Sequence, residues 1–258
     1  MRNKQCGSLN YLEKIQAGTG NFTRQQDFPV TEDSKRALFL TAVEVSTEED
    51  AKLVVCFGDS ITIGTNAETA WPDFLAQRLS GEAAVLNQGI TGNRLLRDFA
   101  GESGLKRFDR DVLAWENLTH IIVMLGTNDL GYMTYDGAVF PVGVDVPDAV
   151  AADEFIAGYR ELITRAHEKG VRIIGATLTP FEGSAYFSDE AEEQRQAINT
   201  WIRESGEFDG VIDFDLAVRD PTMTSRMKNG FHEDDDWLHP NGSGSGAMAD
   251  SVDLILFE

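Results

Sequence analysis

A serine, a histidine and an aspartate stand where a nucleophile, its base and the group that orients the base would be needed. Ser60 sits in the segment Leu53-Val54-Val55-Cys56-Phe57-Gly58-Asp59-Ser60-Ile61-Thr62, just past its apolar run. An apolar run of this length, bounded by a turn signal, reads as a buried strand. A serine just past the carboxyl end of such a strand lies where open α/β sheets place their ligands. Near the other end of the chain is Asp236-Trp237-Leu238-His239-Pro240-Asn241. His239 is suited to take the Ser60 proton and later return it to a leaving alcohol. Asp236, three residues earlier, is close enough within one turn to hold the imidazole tautomer.

Attack on an ester carbonyl also needs donors for the oxyanion. Two further segments supply them: Asn87-Gln88-Gly89-Ile90-Thr91-Gly92-Asn93-Arg94 and Gly126-Thr127-Asn128-Asp129. Gly92 offers a backbone N–H with no side chain in the way. Asn128 offers a side-chain amide, and the Ser60 N–H is the third donor. Asp59 and Asp129 read as turn carboxylates rather than reactants.

These segments must be brought together by the elements around them. From Ala51 onward strands and helices alternate. The strands are Leu53–Phe57, Val85–Gln88, His120–Leu125, Val171–Ala176 and Val211–Phe214. The helices are Trp71–Leu79, Leu105–Ala114, Ala152–Glu168, Glu190–Glu204 and Gly244–Leu254. Helix 152–168 carries an apolar stripe of Phe155, Ile156, Tyr159, Leu162, Ile163 and Ala166, and Lys169-Gly170 ends it. The alternation predicts a parallel sheet covered on both faces, with all strand carboxyl ends on one edge. Residues 131–150 form a long insertion of the kind that serves as a lid or binding loop. Gly242-Ser243-Gly244-Ser245-Gly246 lacks the phosphate-loop pattern and reads as a flexible lead-in to the last helix. His120 reads as a strand-edge residue and His167 as a helix-end residue.

Residues 1–50 form a separate amino-terminal β segment and linker, and 51–258 the main domain. In the first part Ala37–Val45 reads as one strand and Ser46–Asp50 as the linker. A lone strand cannot fold by itself, so it must find a partner in the main domain, in another chain or in a larger β domain. A homo-oligomer built through this segment is one expectation.

The 258 residues, 42% hydrophobic, suit one sizeable core. The net charge of -21 disfavours nucleic acid and anionic membrane surfaces and suits neutral substrates. No apolar stretch approaches the roughly 20 residues that span a bilayer. No secretory h-region follows Met1–Cys6, so the chain as it stands reads as cytoplasmic, with export the alternative if its amino terminus is truncated. Cys56 reads as a small core residue, and a Cys6–Cys56 disulfide has no sequence support. A metal site from His232, Asp234, Asp236 and His239 lacks any ordered ligand spacing. No G-x-S-x-G elbow is present, which disfavours an ordinary α/β-hydrolase.

The four segments together resemble the SGNH hydrolases, also called the GDSL esterase/lipase family. Gly-Asp-Ser-Ile-Thr, Ile-Thr-Gly-Asn-Arg, Gly-Thr-Asn-Asp and Asp-Trp-Leu-His-Pro supply Ser60, Gly92, Asn128, and Asp236 with His239, in order, over residues 51–258. The resemblance implies a flavodoxin-like three-layer α/β/α fold with about five parallel strands, a shallow open site, and neither metal nor cofactor. Asn93-Arg94-Leu95-Leu96, Phe108-Asp109-Arg110-Asp111 and Ala176–Gly183 are similar to a bacterial branch that includes xylanase-associated and carbohydrate esterases. Members of that branch often carry an amino-terminal β-sandwich, and residues 28–50 resemble its last strand and linker. The implied activity is hydrolysis of short-chain esters, including acetyl esters of carbohydrates. The alternatives are a lysophospholipase or thioesterase of the same fold, or a carbohydrate-binding module with a vestigial site.

Overall fold

The computed structural model describes residues 3–7, 15–17, 32–34, 43–47, 52–65, 67, 69–131, 150–233 and 235–258. Among the described residues nine strands run in chain order: β1 (Asn3–Gly7), β2 (Ile15–Ala17), β3 (Glu32–Ser34), β4 (Val43–Thr47), β5 (Lys52–Gly58), β6 (Ala83–Gly89), β7 (Leu118–Met124), β8 (Arg172–Ala176) and β9 (Gly210–Ile212). The last five form one parallel sheet in the order β6-β5-β7-β8-β9. β5 is therefore flanked by β6 on one side and β7 on the other, and the strand order reverses at it.

Among the described residues eight α-helices accompany the strands: α1 (Ser60–Ile63), α2 (Trp71–Arg78), α3 (Gly104–Phe108), α4 (Thr127–Gly131), α5 (Ala152–Glu168), α6 (Asp189–Glu204), α7 (Phe214–Val218) and α8 (Gly242–Asp250). Helix α2 packs on α8, and α8 on α7; α5 packs on both α3 and α6. Right-handed crossovers explain the two groups. The connection from β5 to β6 runs one way along the sheet and the later ones run the other way, so their helices fall on opposite faces. The result is the three-layer α/β/α arrangement. β5 and β7 are buried on both faces, and Val54, Val55, Cys56, Phe57, Ile121, Ile122 and Val123 form the centre of the core. On α5 the buried stripe is Phe155, Gly158, Tyr159, Leu162, Ile163 and Ala166, while Ile156 sits at its edge, half-buried.

Several expectations need correction. The strand expected at 211–214 stops at Ile212, because the Asp213 side chain accepts the Leu216 N–H and starts α7 at Phe214. The helix expected at 105–114 is α3 followed by a π-helical turn, Asp109–Leu113. Gly242–Gly246 is no flexible lead-in but the first turns of α8. Asn241 Oδ1 accepts the Ser243 and Gly244 N–H groups at 2.9 and 3.1 Å. A Cβ on Gly244 would lie 2.2 Å from the Phe231 carbonyl, so the glycine lets the helix start close against that strand-like turn. His120 is buried on a central strand rather than at an edge, and burial presses its imidazole down to about 4. Cys56, by contrast, is the buried, free core residue expected of it.

In the amino-terminal part β1 pairs antiparallel with β4, and β2 with β3. β4 extends through Ser46 and Thr47, which the composition marked as linker, because their backbones pair with Lys4 and Asn3. Of the strand expected at 37–45, Val43–Val45 lie in β4, and 37–42 lie outside the described residues. β1 also lies against β5 and β6. Of the insertion at 131–150, residues 132–149 lie outside the described residues. Among the described residues no helix is long and apolar enough to cross a membrane.

Candidate active site

The strand order decides which loops meet. Ser60 begins α1 directly after β5. The Gly92 turn follows β6 and the Asn128 helix α4 follows β7, so the two flank Ser60. Asp59 caps α1 by accepting the Ile61 N–H at 3.0 Å, which sets the sharp exit from β5. A Cβ on Gly58 would lie 2.0 Å from Thr62 Oγ1, and one on Gly89 2.4 Å from the Ile63 N. Both glycines let α1 turn back tightly over the strand ends. Ile90 to Asn93 is a β-turn closed by a 3.0 Å hydrogen bond. Gly92, at φ 73°, occupies its third position, where a type II turn demands a positive φ.

The turn between α7 and α8 brings the base. The Ser60 hydroxyl and His239 Nε2 are 2.9 Å apart, and His239 Nδ1 and Asp236 Oδ2 are 2.7 Å apart. Both ring nitrogens of His239 are therefore engaged. Asp236 Oδ1 also accepts the Leu238 and His239 N–H groups at 3.1 and 3.3 Å. Burial pushes the Asp236 carboxyl up, but the His239 hydrogen bond and charge, with those two N–H groups, outweigh it and hold the carboxyl below its ordinary value. Asp235 and Trp237, either side of Asp236, have φ of 51° and 55°. Such backbone is costly for side chains of this size and persists only where packing enforces it. Here the Trp237 ring lies 3.9 Å from the His232 ring and 4.7 Å from the Arg226 guanidinium, and Gly183 packs against it.

A buried network joins the three loops. Asn128 Nδ2 donates to the Asn93 carbonyl at 3.0 Å, linking the ends of β7 and β6 across the end of β5. Arg107 is fully buried. It donates to Asn93 Oδ1, the Gln88 carbonyl and the Gly58 carbonyl, each at 2.9 Å. Its guanidinium also lies 4.1 Å from the Phe57 ring centroid. Burial lowers Arg107 to about 10, so it stays charged at neutral pH. Asp129 accepts the Leu95 and Leu96 N–H groups at 2.7 and 3.2 Å and faces Arg94 at 3.5 Å. Burial raises both Asp59 and Asp129 to about 6. Asp59 and Asp129 are thus the structural carboxylates expected of them.

Arg107 and Tyr186 were missed by sequence reasoning. Arg107 had a readable signal. Gly104, Arg107, Phe108 and Val112 are the buried positions of that helix, so the arginine sits at i, i+3, i+4 spacing on the apolar face. A charge there needs fixed acceptors. Tyr186, whose hydroxyl donates to Asn128 Oδ1 at 3.4 Å, had no such signal, because its loop follows β8 and is distant in sequence.

Comparison with known proteins bears on the family and the fold. The model of the GDSL-like lipase/acylhydrolase family matches residues 56–247. A G-D-S-L family protein from Desulfitobacterium hafniense DCB-2 shares 20% identity at a TM-score of 0.59, over 78% of this chain and 97% of that one. A GDSL-like lipase from Bacteroides thetaiotaomicron VPI-5482 shares 18% at 0.58, over 80% and 88%. A carbohydrate acetylesterase family member from Sinorhizobium meliloti shares 18% at 0.57, over 80% and 97%. At these identities the likeness is one of fold. No curated protein matches the sequence.

Proposed function

Because the chain belongs to the GDSL-like lipase/acylhydrolase family and is an ester hydrolase, we propose that it works as a serine esterase through Ser60, His239 and Asp236. The observation that carries this reading is the continuous line Asp236 Oδ2–His239 Nδ1 and His239 Nε2–Ser60 Oγ at 2.7 and 2.9 Å. In this reading Nδ1–H donates to Asp236, which leaves Nε2 as the acceptor for the serine proton. Ser60 Oγ attacks the ester carbonyl as its proton passes to His239. The imidazolium, held by Asp236, then protonates the leaving alcohol as the acyl-enzyme forms. A water deprotonated by His239 attacks the acyl-enzyme and releases the acid, restoring Ser60.

The oxyanion of each tetrahedral intermediate is assigned to the Ser60 N–H, the Gly92 N–H and the Asn128 amide. Support for this comes from the placement of the Gly92 turn and α4 on either side of Ser60. The substrate class proposed is a short-chain ester, in particular an acetyl ester of a carbohydrate. It rests on the resemblance of the Asn93–Leu96, Phe108–Asp111 and Ala176–Gly183 segments and on the Sinorhizobium meliloti neighbour.

The test is hydrolysis of p-nitrophenyl esters from C2 to C12 by the wild type and Ser60→Ala. Turnover that vanishes in a folded Ser60→Ala protein and peaks at C2–C4 is the expected result. A preference for C10 and longer would instead favour a lysophospholipase or thioesterase. Equal rates in the two proteins would overturn the assignment of Ser60.

A further inference from the structure

An asparagine can stabilise an oxyanion only if its nitrogen, not its oxygen, faces the developing charge. The amide of Asn128 is nearly symmetrical in shape, so the protein must select one of two orientations by hydrogen bonding. On one side the Asn93 carbonyl takes one N–H at 3.0 Å. On the other, the Tyr186 hydroxyl stands 3.4 Å from Oδ1. Among the described residues the second N–H of Asn128 has no acceptor, although the side chain is buried. We propose that Tyr186 is a positioning residue for the ester hydrolysis: it holds Asn128 Oδ1 away from the reacting carbonyl and leaves that second N–H aimed at the oxyanion. This inference rests on the assignment of Asn128 to the oxyanion site.

The tyrosine is itself held in place. Its ring packs on Gly131, where a Cβ would lie 2.0 Å from Tyr186 Cδ2. Gly131 and Asn128 share helix α4, so the ring and the amide it orients are referred to the same short element. The loop behind Tyr186 is tied to itself. Ser184 N–H donates to the Phe181 carbonyl at 3.1 Å, and Ser184 Oγ accepts the Tyr186 N–H at 3.2 Å. The Phe181 and Phe187 rings meet edge to face at 6.3 Å. From the same loop Gly183 supports Trp237 beside Asp236. One loop thus braces both sides of the site. Strain-free preorganisation of this kind matters because a donor contributes most when it needs no reorientation as charge develops.

The test is Tyr186→Phe, which keeps the ring on Gly131 and removes only the hydroxyl. Losing an oxyanion donor outright costs about 10²–10³ in kcat, so freeing its orientation is expected to cost about 10-fold. The loss should fall on kcat with KM within about twofold, because the interaction strengthens only in the transition state. Inactivation by diethyl p-nitrophenyl phosphate, whose phosphoryl oxygen uses the same donors, should slow by a like factor. In an Asn128→Ala background Tyr186→Phe should change kcat by less than about twofold. Wild-type kcat in Tyr186→Phe, or an equal loss in both backgrounds, overturns the inference while leaving the assignment of Asn128 intact. Wild-type kcat in Asn128→Ala overturns that assignment and the inference with it.

Discussion

Replacing Arg107 with lysine should destabilise the protein severely, although the charge is kept. The guanidinium serves three acceptors from three different nitrogens: Asn93 Oδ1 from Nε, the Gln88 carbonyl from Nη1 and the Gly58 carbonyl from Nη2, all at 2.9 Å. A lysine ammonium is a single point at the end of a shorter reach and can serve about one of them. Two buried acceptors are then stranded at about 1–3 kcal/mol each, or about 2–6 kcal/mol together. Against a total stability of about 5–15 kcal/mol that is a large share. For a chain of this size about 2–4 °C of melting temperature is lost per kcal/mol. A central loss of about 4 kcal/mol therefore corresponds to about 8–16 °C. The assay is thermal and urea unfolding of Arg107→Lys beside Arg110→Lys. Arg110 is exposed and, among the described residues, pairs with Glu102 and Asp111 at the surface, so its substitution should leave the melt unchanged. If Arg107→Lys melts within about 2 °C of the wild type, the network does not hold the loops together as argued.

Asp236→Asn can still accept the Leu238 and His239 N–H groups but favours the wrong imidazole tautomer; kcat on p-nitrophenyl acetate should fall about 10²–10⁴-fold with the fold intact, and a loss under threefold would refute the role of Asp236. Asp59, raised by burial from 3.8 to about 6, weighs against the folded state while ionised, so that penalty is absent below about pH 4, grows as pH rises from about 4 to 6 and is complete above that. The wild type should therefore gain up to about 3 kcal/mol relative to Asp59→Asn between pH 7.5 and 4, read from paired urea titrations; a gap independent of pH would refute it. Asn128→Ala should stay folded and lose about 10²–10³ in kcat, which steady-state kinetics with matched melting curves will check. Removing residues 1–50 takes away the β1–β4 pair and the strand that lies against β6; we propose that it lowers the melting temperature or changes the oligomeric mass, and calorimetry with light scattering showing neither would refute that.

The chemistry-bearing residues were legible in the sequence because their signals are local. Gly58-Asp59-Ser60 ends an apolar strand, and Asp236 and His239 lie within one turn, so the 2.7 Å contact between them needs no long-range information. Helix α5 was readable to the residue because its apolar stripe repeats along one surface. The parallel sheet followed from the alternation of periods. The tertiary structure alone decided the strand order, which puts the Gly92 turn and Asn128 on opposite sides of Ser60 rather than on one side. It alone showed that Arg107 and Asn93 bind those loops to one another, and that a tyrosine from the loop after β8 stands against the Asn128 oxygen. It also replaced the tail of one expected strand with α7, where the Asp213 cap prevailed over the apolar run into Phe214. The reason is common to all of these. Periodicity and turn residues report what a segment does with its own neighbours, whereas a buried donor finds acceptors far away in the chain, and only the folded arrangement of strands says which acceptors those are.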